Sequence, residues 1–498
     1  MMISLSSPSS ARLRLGLALA SSLWLSVVPS ARLAADDAVP APPTTNTAVP
    51  APPATTDFLL QDVPKPILFI GDDATAERMF TTLIETYTLS RFPSWDVTFR
   101  NMGWEGDKIR FVGTRANSGD QAIRRDIEAF HPQIAIVNYG TNDAKGGDAA
   151  LDQFLVGVNV LSRDLPRVGV NHTAFVSVNP QEGYESGQPA GSSANLMLQK
   201  YATGMKDRFP IGWGNGVGFM QQHPKGKDVP QLQNGVFIDV FTPMVDLIEA
   251  GRKAGVLSSD DSQGDKTLRL TSDGVHLNWA GQFIMAALIL QGLHAPDLVS
   301  SATLDASARS TTSSEGCTIT WQDASAGAVQ FERKDDALPW PTPPDVDLAL
   351  KIPGFDPATT LNRYELKVTG LSRPSYHLLI DQQDVGVYSA ADLAKGVNLG
   401  FVRQGPIYDQ GQKLLQAVTA KNDAFFNRWR NVQIGPPPAP GTSPADLRKA
   451  EGDHFNQVKP QLVQLDKAIA DQEQAIHQLC QPVPHVFTLQ PVASAAQN

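Results

Sequence analysis

The 498-residue chain is too long for one ordinary core, and its 42% hydrophobic and 18% charged residues are the balance of a folded globular protein. A net charge of −10 without long single-sign blocks reads as a solvated surface and argues against nucleic acid as a partner. Cys317 and Cys480 are the only cysteines, too few for a disulfide framework or a structural zinc site, and whether they pair is left open.

Arg12 and Arg14 lead into an apolar run from Leu15 to Val28, and small residues follow at Ala34 and Ala35. Residues 1–35 therefore have the layout of a secretory signal peptide, and the run is shorter than a membrane span needs. The expectation is an extracytoplasmic protein, periplasmic or secreted, with no stable membrane insertion after cleavage. Residues 36–62 form a Pro/Thr-rich linker in which AVPAPP occurs twice, from Ala38 and from Ala48. Such a segment has little to bury and reads as an extended spacer, with recognition by a proline-binding module as the other reading.

Over residues 63–298, short apolar runs alternate with helical periodicity, which predicts a parallel sheet with helices on its faces. The expected strands are Ile67–Ile70, Val97–Arg100, Ile134–Asn138, Ala174–Val178 and Val236–Val240. Apolar stripes at Met79, Phe80, Leu83, Ile84 and Tyr87, then at Ile123, Ile127 and Phe130, mark helices facing a core. Residues 299–402 turn strand-like, with Thr318–Trp321, Val329–Glu332, Tyr364–Val368, and a hairpin joining Tyr376–Ile380 to Val385–Tyr388. Residues 403–498 read as helical: Asn422–Arg430, a Pro-rich break at Pro436–Pro440, then a helix started by Ser443-Pro444. Its seam of Leu462, Leu465, Ile469, Ile476 and Leu479 must pack either on its own chain or on a second copy, and the oligomeric state stays open.

The first apolar run stops at Gly71 and is followed by Asp72 and Asp73, at the carboxyl end of a strand, where open α/β sheets keep their sites. Asn101-Met102-Gly103-Trp104-Glu105-Gly106-Asp107 follows the second strand, Gly140-Thr141-Asn142-Asp143 the third, and Asp273-Gly274-Val275-His276 precedes a late helix. Each string alone is common. Their order and placement together resemble an SGNH, or GDSL-type, hydrolase over roughly Ile67 to Leu293. The segments ERMFTTLIETYTLSRFP and FRNMGWEGD are similar to a secreted bacterial subgroup of that family, and YELKVTGL, VGVYS and KNDAFFNRWR to its usual extension.

The resemblance implies a flavodoxin-like three-layer α/β/α fold with a parallel sheet, carrying a C-terminal β-rich and helical extension. It also implies a small-molecule or carbohydrate ester as substrate, acyl groups on extracytoplasmic carbohydrate above all, with no cofactor and no metal. Gly106 and Asn142 would be oxyanion donors, His276 the base and Asp273 its orienting acid. Asp73 stands where the family carries its serine nucleophile, and Thr75 is expected to cap the helix that follows.

A carboxylate cannot be activated as a hydroxyl is, and beside His276 it would favour imidazolium, bridging Asp73 and Asp273. Attack on an ordinary ester would give an anhydride, so serine-type hydrolysis should be strongly reduced. Three uses of Asp73 remain on sequence grounds: a base on water or a nucleophile at saturated carbon, a binding site without turnover, and a metal site with Asp72 and Asp143. Trp104, beside Gly106, is expected to pack in the interior, with stacking on a sugar ring as the other reading.

Overall fold

The computed structural model describes residues 58–61, 66–109, 127, 130–183, 191–207, 234–259, 268–325, 327–435, 439 and 441–493. The signal-like segment, the AVPAPP repeats, Ile123 and most of the Pro436–Pro440 break lie outside the described residues. The described part belongs to one compact unit spanning Pro53 to Asn498. Phe58 and Leu60, within the expected linker, are buried, with Phe58 stacked on Phe92 and Trp95, so packed structure begins before residue 63.

Five parallel strands form the first sheet: β1 (Ile67–Gly71), β2 (Phe99–Gly103), β3 (Ile134–Asn138), β4 (His172–Val176) and β5 (Asn234–Ile238), in the order β2-β1-β3-β4-β5. Alternate residues of β1 enter two different cores. Ile67 and Phe69 pack beneath the helices Met79–Arg91 and Trp279–Gly292, whereas Leu68 and Ile70 join Phe154, Leu155 and Tyr201 from the helices on the other face. Burial on both faces makes β1 and β3 nearly continuous apolar runs, and that gave the sheet away in sequence.

This is the expected three-layer α/β/α arrangement. Strand order reverses between β1 and β3, the switch point at which such sheets bind ligands. Three strand boundaries differ from expectation by two residues: the paired segments start at Phe99, His172 and Asn234. Val178 and Val240 are buried, yet they have already left the ladder, and the Val240 amide donates to Ser177 Oγ at 2.9 Å. Apolar character marks burial, which outlasts pairing.

The C-terminal half builds a second, β-rich core. A four-stranded sheet contains β6 (Leu298–Asp305), β7 (Ser310–Glu315), β10 (Arg363–Thr369) and β13 (Val397–Asn398). A five-stranded one contains β8 (Cys317–Gln322), β9 (Val329–Asp335), β11 (Ser375–Ile380), β12 (Gln383–Ser389) and β14 (His485–Pro491). The expected hairpin is the β11–β12 pair, turning through Asp381 and Gln382 at positive φ. Strand β14 corrects the helical reading of 403–498, because the chain end returns to pair with both β11 and β9. Cys317 and Cys480 are buried free thiols, with Sγ atoms directed at the Ser301 and His477 carbonyls, so they do not form a bridge.

Two long helices, Pro406–Phe426 and Pro444–Leu479, bury Leu414, Val418, Phe425, Ile469 and Ile476 in the cores of the parallel-sheet domain. Ser443 caps the second as expected, accepting from the Asp446 amide at 3.2 Å. Leu462, Ile469 and Ile476 are buried within the described chain, so the seam packs on its own protein. The first helix covers β2, the edge strand of the parallel sheet. Lys421 Nζ bonds Glu85 at 2.7 Å and lies 3.4 Å from the Phe99 carbonyl, which blunts an otherwise open edge. Among the described residues no helix is long and apolar enough to cross a membrane.

Candidate active site

The turn after β1 depends on two glycines. A Cβ on Gly71 would lie 2.3 Å from the Asn138 carbonyl oxygen, and one on Gly103 would lie 2.3 Å from the Ala76 nitrogen. Only glycine lets the short helix Asp73–Ala76 sit directly against the ends of β2 and β3. Gly103→Ala should therefore cost about 3 kcal/mol of stability. An unchanged thermal midpoint would show that the turn can yield.

Asp72 is fully buried, and its Oδ2 accepts the Gly140 and Thr141 amides at 3.2 and 3.1 Å, tying the loop after β3 to β1. Burial, reinforced by Asp73 and Asp143, holds its carboxyl well above the usual range. Asp143 turns to the Ile109 amide at 3.2 Å and is pushed up to about 6, chiefly by burial. Both carboxyls brace backbone, and among the described residues no cluster of three or more His, Cys, Asp or Glu is arranged to hold a metal ion. Thr75 is not a cap: it lies inside the short helix with a buried hydroxyl that has no hydrogen-bond partner, and Arg78, at φ +66°, occupies the cap of the next helix.

Asp73 is 7% exposed and sits between the two expected donors. Gly106, at φ +75°, directs its N–H to Asp73 Oδ1 at 2.5 Å, and Asn142 Nδ2 donates to Oδ2 at 3.0 Å. Lys145 Nζ lies 2.6 Å from Asn142 Oδ1, which orients the amide with its NH₂ toward the carboxylate. The donors therefore already hold a negative charge, supplied by the protein itself.

Asp273 and His276 form a separate pair. Asp273 Oδ1 accepts the Val275 and His276 amides at 2.9 and 2.8 Å, and Oδ2 lies 2.7 Å from His276 Nδ1. That side-chain bond, ahead of the nearby Glu77 and Asp73 charges, raises the imidazole above its ordinary range. Partial burial pushes Asp273 upward, but bonds from the His276 amide and ring and the Val275 amide outweigh it and bring the carboxyl down to about 2. No hydrogen bond joins Asp73 to His276 among the described residues, so the expected imidazolium bridge is not formed. Asp73 turns instead to the donors, whose N–H groups converge on it.

Three residues that sequence reading missed complete the surroundings. Glu182, fully buried, accepts the Leu270 amide at 3.1 Å and the Thr271 hydroxyl, and so fixes the loop that carries Asp273 and His276. Gln282 accepts the Phe80 amide at 2.8 Å, donates to Glu77, and reaches the Leu277 carbonyl beside His276 at 3.4 Å. Glu77 stands four residues after Asp73, on the same side of a helical turn. Burial pushes it up to about 7 against the opposing charge of His276. A carboxyl four residues after Asp73 was the only sequence signal for it. Trp104 is half-buried and packs edge-on against Trp429 at 5.8 Å, with the Arg430 guanidinium 3.2 Å from its ring centre, in line with a packing role.

A separate apolar cavity, lined by Trp340, Tyr364, Ile380, Val402, Ile407 and Tyr408 among others, shares no residue with this cluster.

The sequence matches no protein-family model, and no curated protein matches it. Among solved structures, it is similar to a gut microbial diltiazem-metabolizing enzyme, with a TM-score of 0.64, 18% identity, and 86% of this chain and 98% of that one covered. It is more distantly similar to an acetylxylan esterase from Geobacillus stearothermophilus, with a TM-score of 0.33, 15% identity, and 46% of this chain and 94% of that one covered. At such identity the first likeness establishes a shared fold over the span it covers.

Proposed function

We propose that this chain is a hydrolase-fold protein that recognises acyl esters of extracytoplasmic carbohydrate, or related small esters, at the ends of β1, β2 and β3, without serine-type turnover. The observation that carries this reading is the double hydrogen bond from Gly106 and Asn142 to the Asp73 carboxylate. An ester carbonyl that becomes a tetrahedral oxyanion needs those same donors, and they are engaged by a charge that cannot leave. The substrate class rests on the SGNH-like motif set, and the compartment on the signal-like residues 1–35. Comparing p-nitrophenyl acetate hydrolysis by wild type and Asp73→Ser tests the reading.

A second reading, hydrolysis of a specialised ester by the wild type, is favoured by the Asp273–His276 pair, which already orients the imidazole for proton transfer. Its signature is turnover that His276→Ala abolishes in protein retaining Asp73.

The pH dependence of Asp73→Ser follows from the same pair. His276 serves as a base only when neutral, and its bond to Asp273 raises its pKa, so activity should rise with pH through a limb above the usual imidazole range. Asp273→Asn should move that limb down and lower the rate by roughly 10²- to 10⁴-fold. A profile of kcat/KM from about pH 5 to about pH 9 reads both effects. A limb that stays in place in Asp273→Asn would remove Asp273 from the mechanism.

A further inference from the structure

We propose that the C-terminal extension is part of the site: Trp429 and Arg430 are positioning residues that hold the Trp104–Gly106 turn and so aim the Gly106 N–H at position 73. The inference rests on the reading of Gly106 as a site donor and gives the extension a task that its sequence did not disclose.

A Cβ on Gly106 would meet no atom within 4 Å among the described residues, so no side-chain contact fixes the residue from that side. Its N–H direction must therefore be set by neighbours. Backbone bonds place the turn between the Gly71 carbonyl, which the Trp104 amide reaches at 2.9 Å, and the Asp107 amide, which returns to the Trp104 carbonyl at 3.1 Å. The large side chain in this turn is Trp104, gripped between the edge-on Trp429 ring and the flat Arg430 guanidinium. Trp429 is fully buried, so one side of the grip is rigid.

Both gripping residues lie on the π-helical turn Asn427–Gln433, which continues the helix Pro406–Phe426. Such turns re-aim side chains within a helix and concentrate at functional sites. The turn is anchored from behind by Arg428, which pairs with Asp466 of the last helix through bonds of 2.7 and 3.0 Å. The start of the KNDAFFNRWR segment is directed at the parallel-sheet domain. Lys421 and Asn422 bond Glu85, Asp423 bonds Arg78 at 3.2 Å, and Phe425 packs on Phe130. Beside it, Arg100 of β2 pairs with Glu473 at 2.5 Å. The edge strand that leads into the donor turn is thus held by the extension at Phe99 and Arg100, and again just beyond its end at Trp104.

Arg430 is half-buried at the surface, so replacing it should leave the fold intact. The test is amide hydrogen exchange by mass spectrometry on full-length wild type, Arg430→Ala and Arg430→Lys. In Arg430→Ala, peptides covering Trp104–Asp107 should exchange roughly tenfold faster, while those from β1, β3 and the Asp273–His276 loop stay unchanged. Arg430→Lys keeps the charge without the planar stack and should restore protection in part. In an Asp73→Ser background, Arg430→Ala should lower kcat roughly tenfold with KM unchanged, because an oxyanion donor acts in the transition state. Exchange at 104–107 equal to wild type, or acceleration spread evenly over all peptides, would overturn the proposal. Should Asp73→Ser prove inert, the donor assignment falls, while the exchange data still decide whether Arg430 holds the turn.

Discussion

Asp73→Ser should raise kcat/KM for p-nitrophenyl acetate by roughly 10²- to 10³-fold over the wild type. The substitution removes the carboxylate that accepts from Gly106 and Asn142, and it places a hydroxyl at the start of the helix Asp73–Ala76. The two N–H donors are then free for the carbonyl oxygen of the ester. His276, oriented through its 2.7 Å bond to Asp273, can take the hydroxyl proton. The gain should vanish in Asp73→Ser combined with His276→Ala, which retains the donors but lacks the base. An inert Asp73→Ser protein with wild-type melting behaviour would sink the donor and base assignments together. Activity in wild type that Asp73→Ser reduces would instead make Asp73 itself the working group.

The second large effect concerns the join between the extension and the parallel-sheet domain. Lys421 and Glu85 are buried to 0% and 4% side-chain exposure and bond each other at 2.7 Å. Burial lowers the lysine and raises the glutamate, each opposed by its partner. Lys421→Met leaves Glu85 with the Asn422 amide at 3.0 Å and no cation, and should destabilise the protein by about 3–5 kcal/mol. Adding Glu85→Leu should recover most of that loss, because the cost lies in the stranded charge rather than in the missing attraction.

The sign of the pH dependence follows. With its lysine gone, Glu85 has a folded-state pKa raised further above its unfolded value, so the folded state holds a proton that the unfolded state releases. The deficit of Lys421→Met should therefore be small at low pH and grow as pH rises past the unfolded carboxyl range. Urea midpoints for both variants at about pH 5 and about pH 8 read these expectations. A deficit that does not change with pH would mean that lost packing, not charge, is the cause.

How much could be read without coordinates differs from element to element. Ile134–Asn138 matched residue for residue, because a strand buried on both faces writes itself as an unbroken apolar run bounded by polar residues. Strand β7, STTSSE, is exposed at every residue, and nothing in its pattern marks it. Its pairing to β6 alone makes it a strand. Strand β14 is seven residues that follow a 36-residue helix, and its partners β9 and β11 lie far back along the chain. Local pattern has no access to such a return.

The site divides along the same line. Gly71, Asp72, Asp73, Gly106, Asn142, Asp273 and His276 stand out in the chain because each sits at a strand end or before a helix with a short, ordered spacing. What each side chain faces is set by groups brought in from elsewhere. Asp73 faces two N–H donors from the loops after β2 and β3, and those win it from His276. Glu77 meets Gln282 from 205 residues away, Glu182 holds a loop 88 and 89 residues on, and Trp104 is gripped by a turn more than 300 residues later. Residue type and local spacing thus pointed to the architecture of the first domain and to the residues gathered at the ends of its strands. The direction of each hydrogen bond, the burial that raises Glu77, and the recruitment of the extension exist only once distant segments are packed together, since burial and hydrogen-bond geometry are properties of the assembled interior.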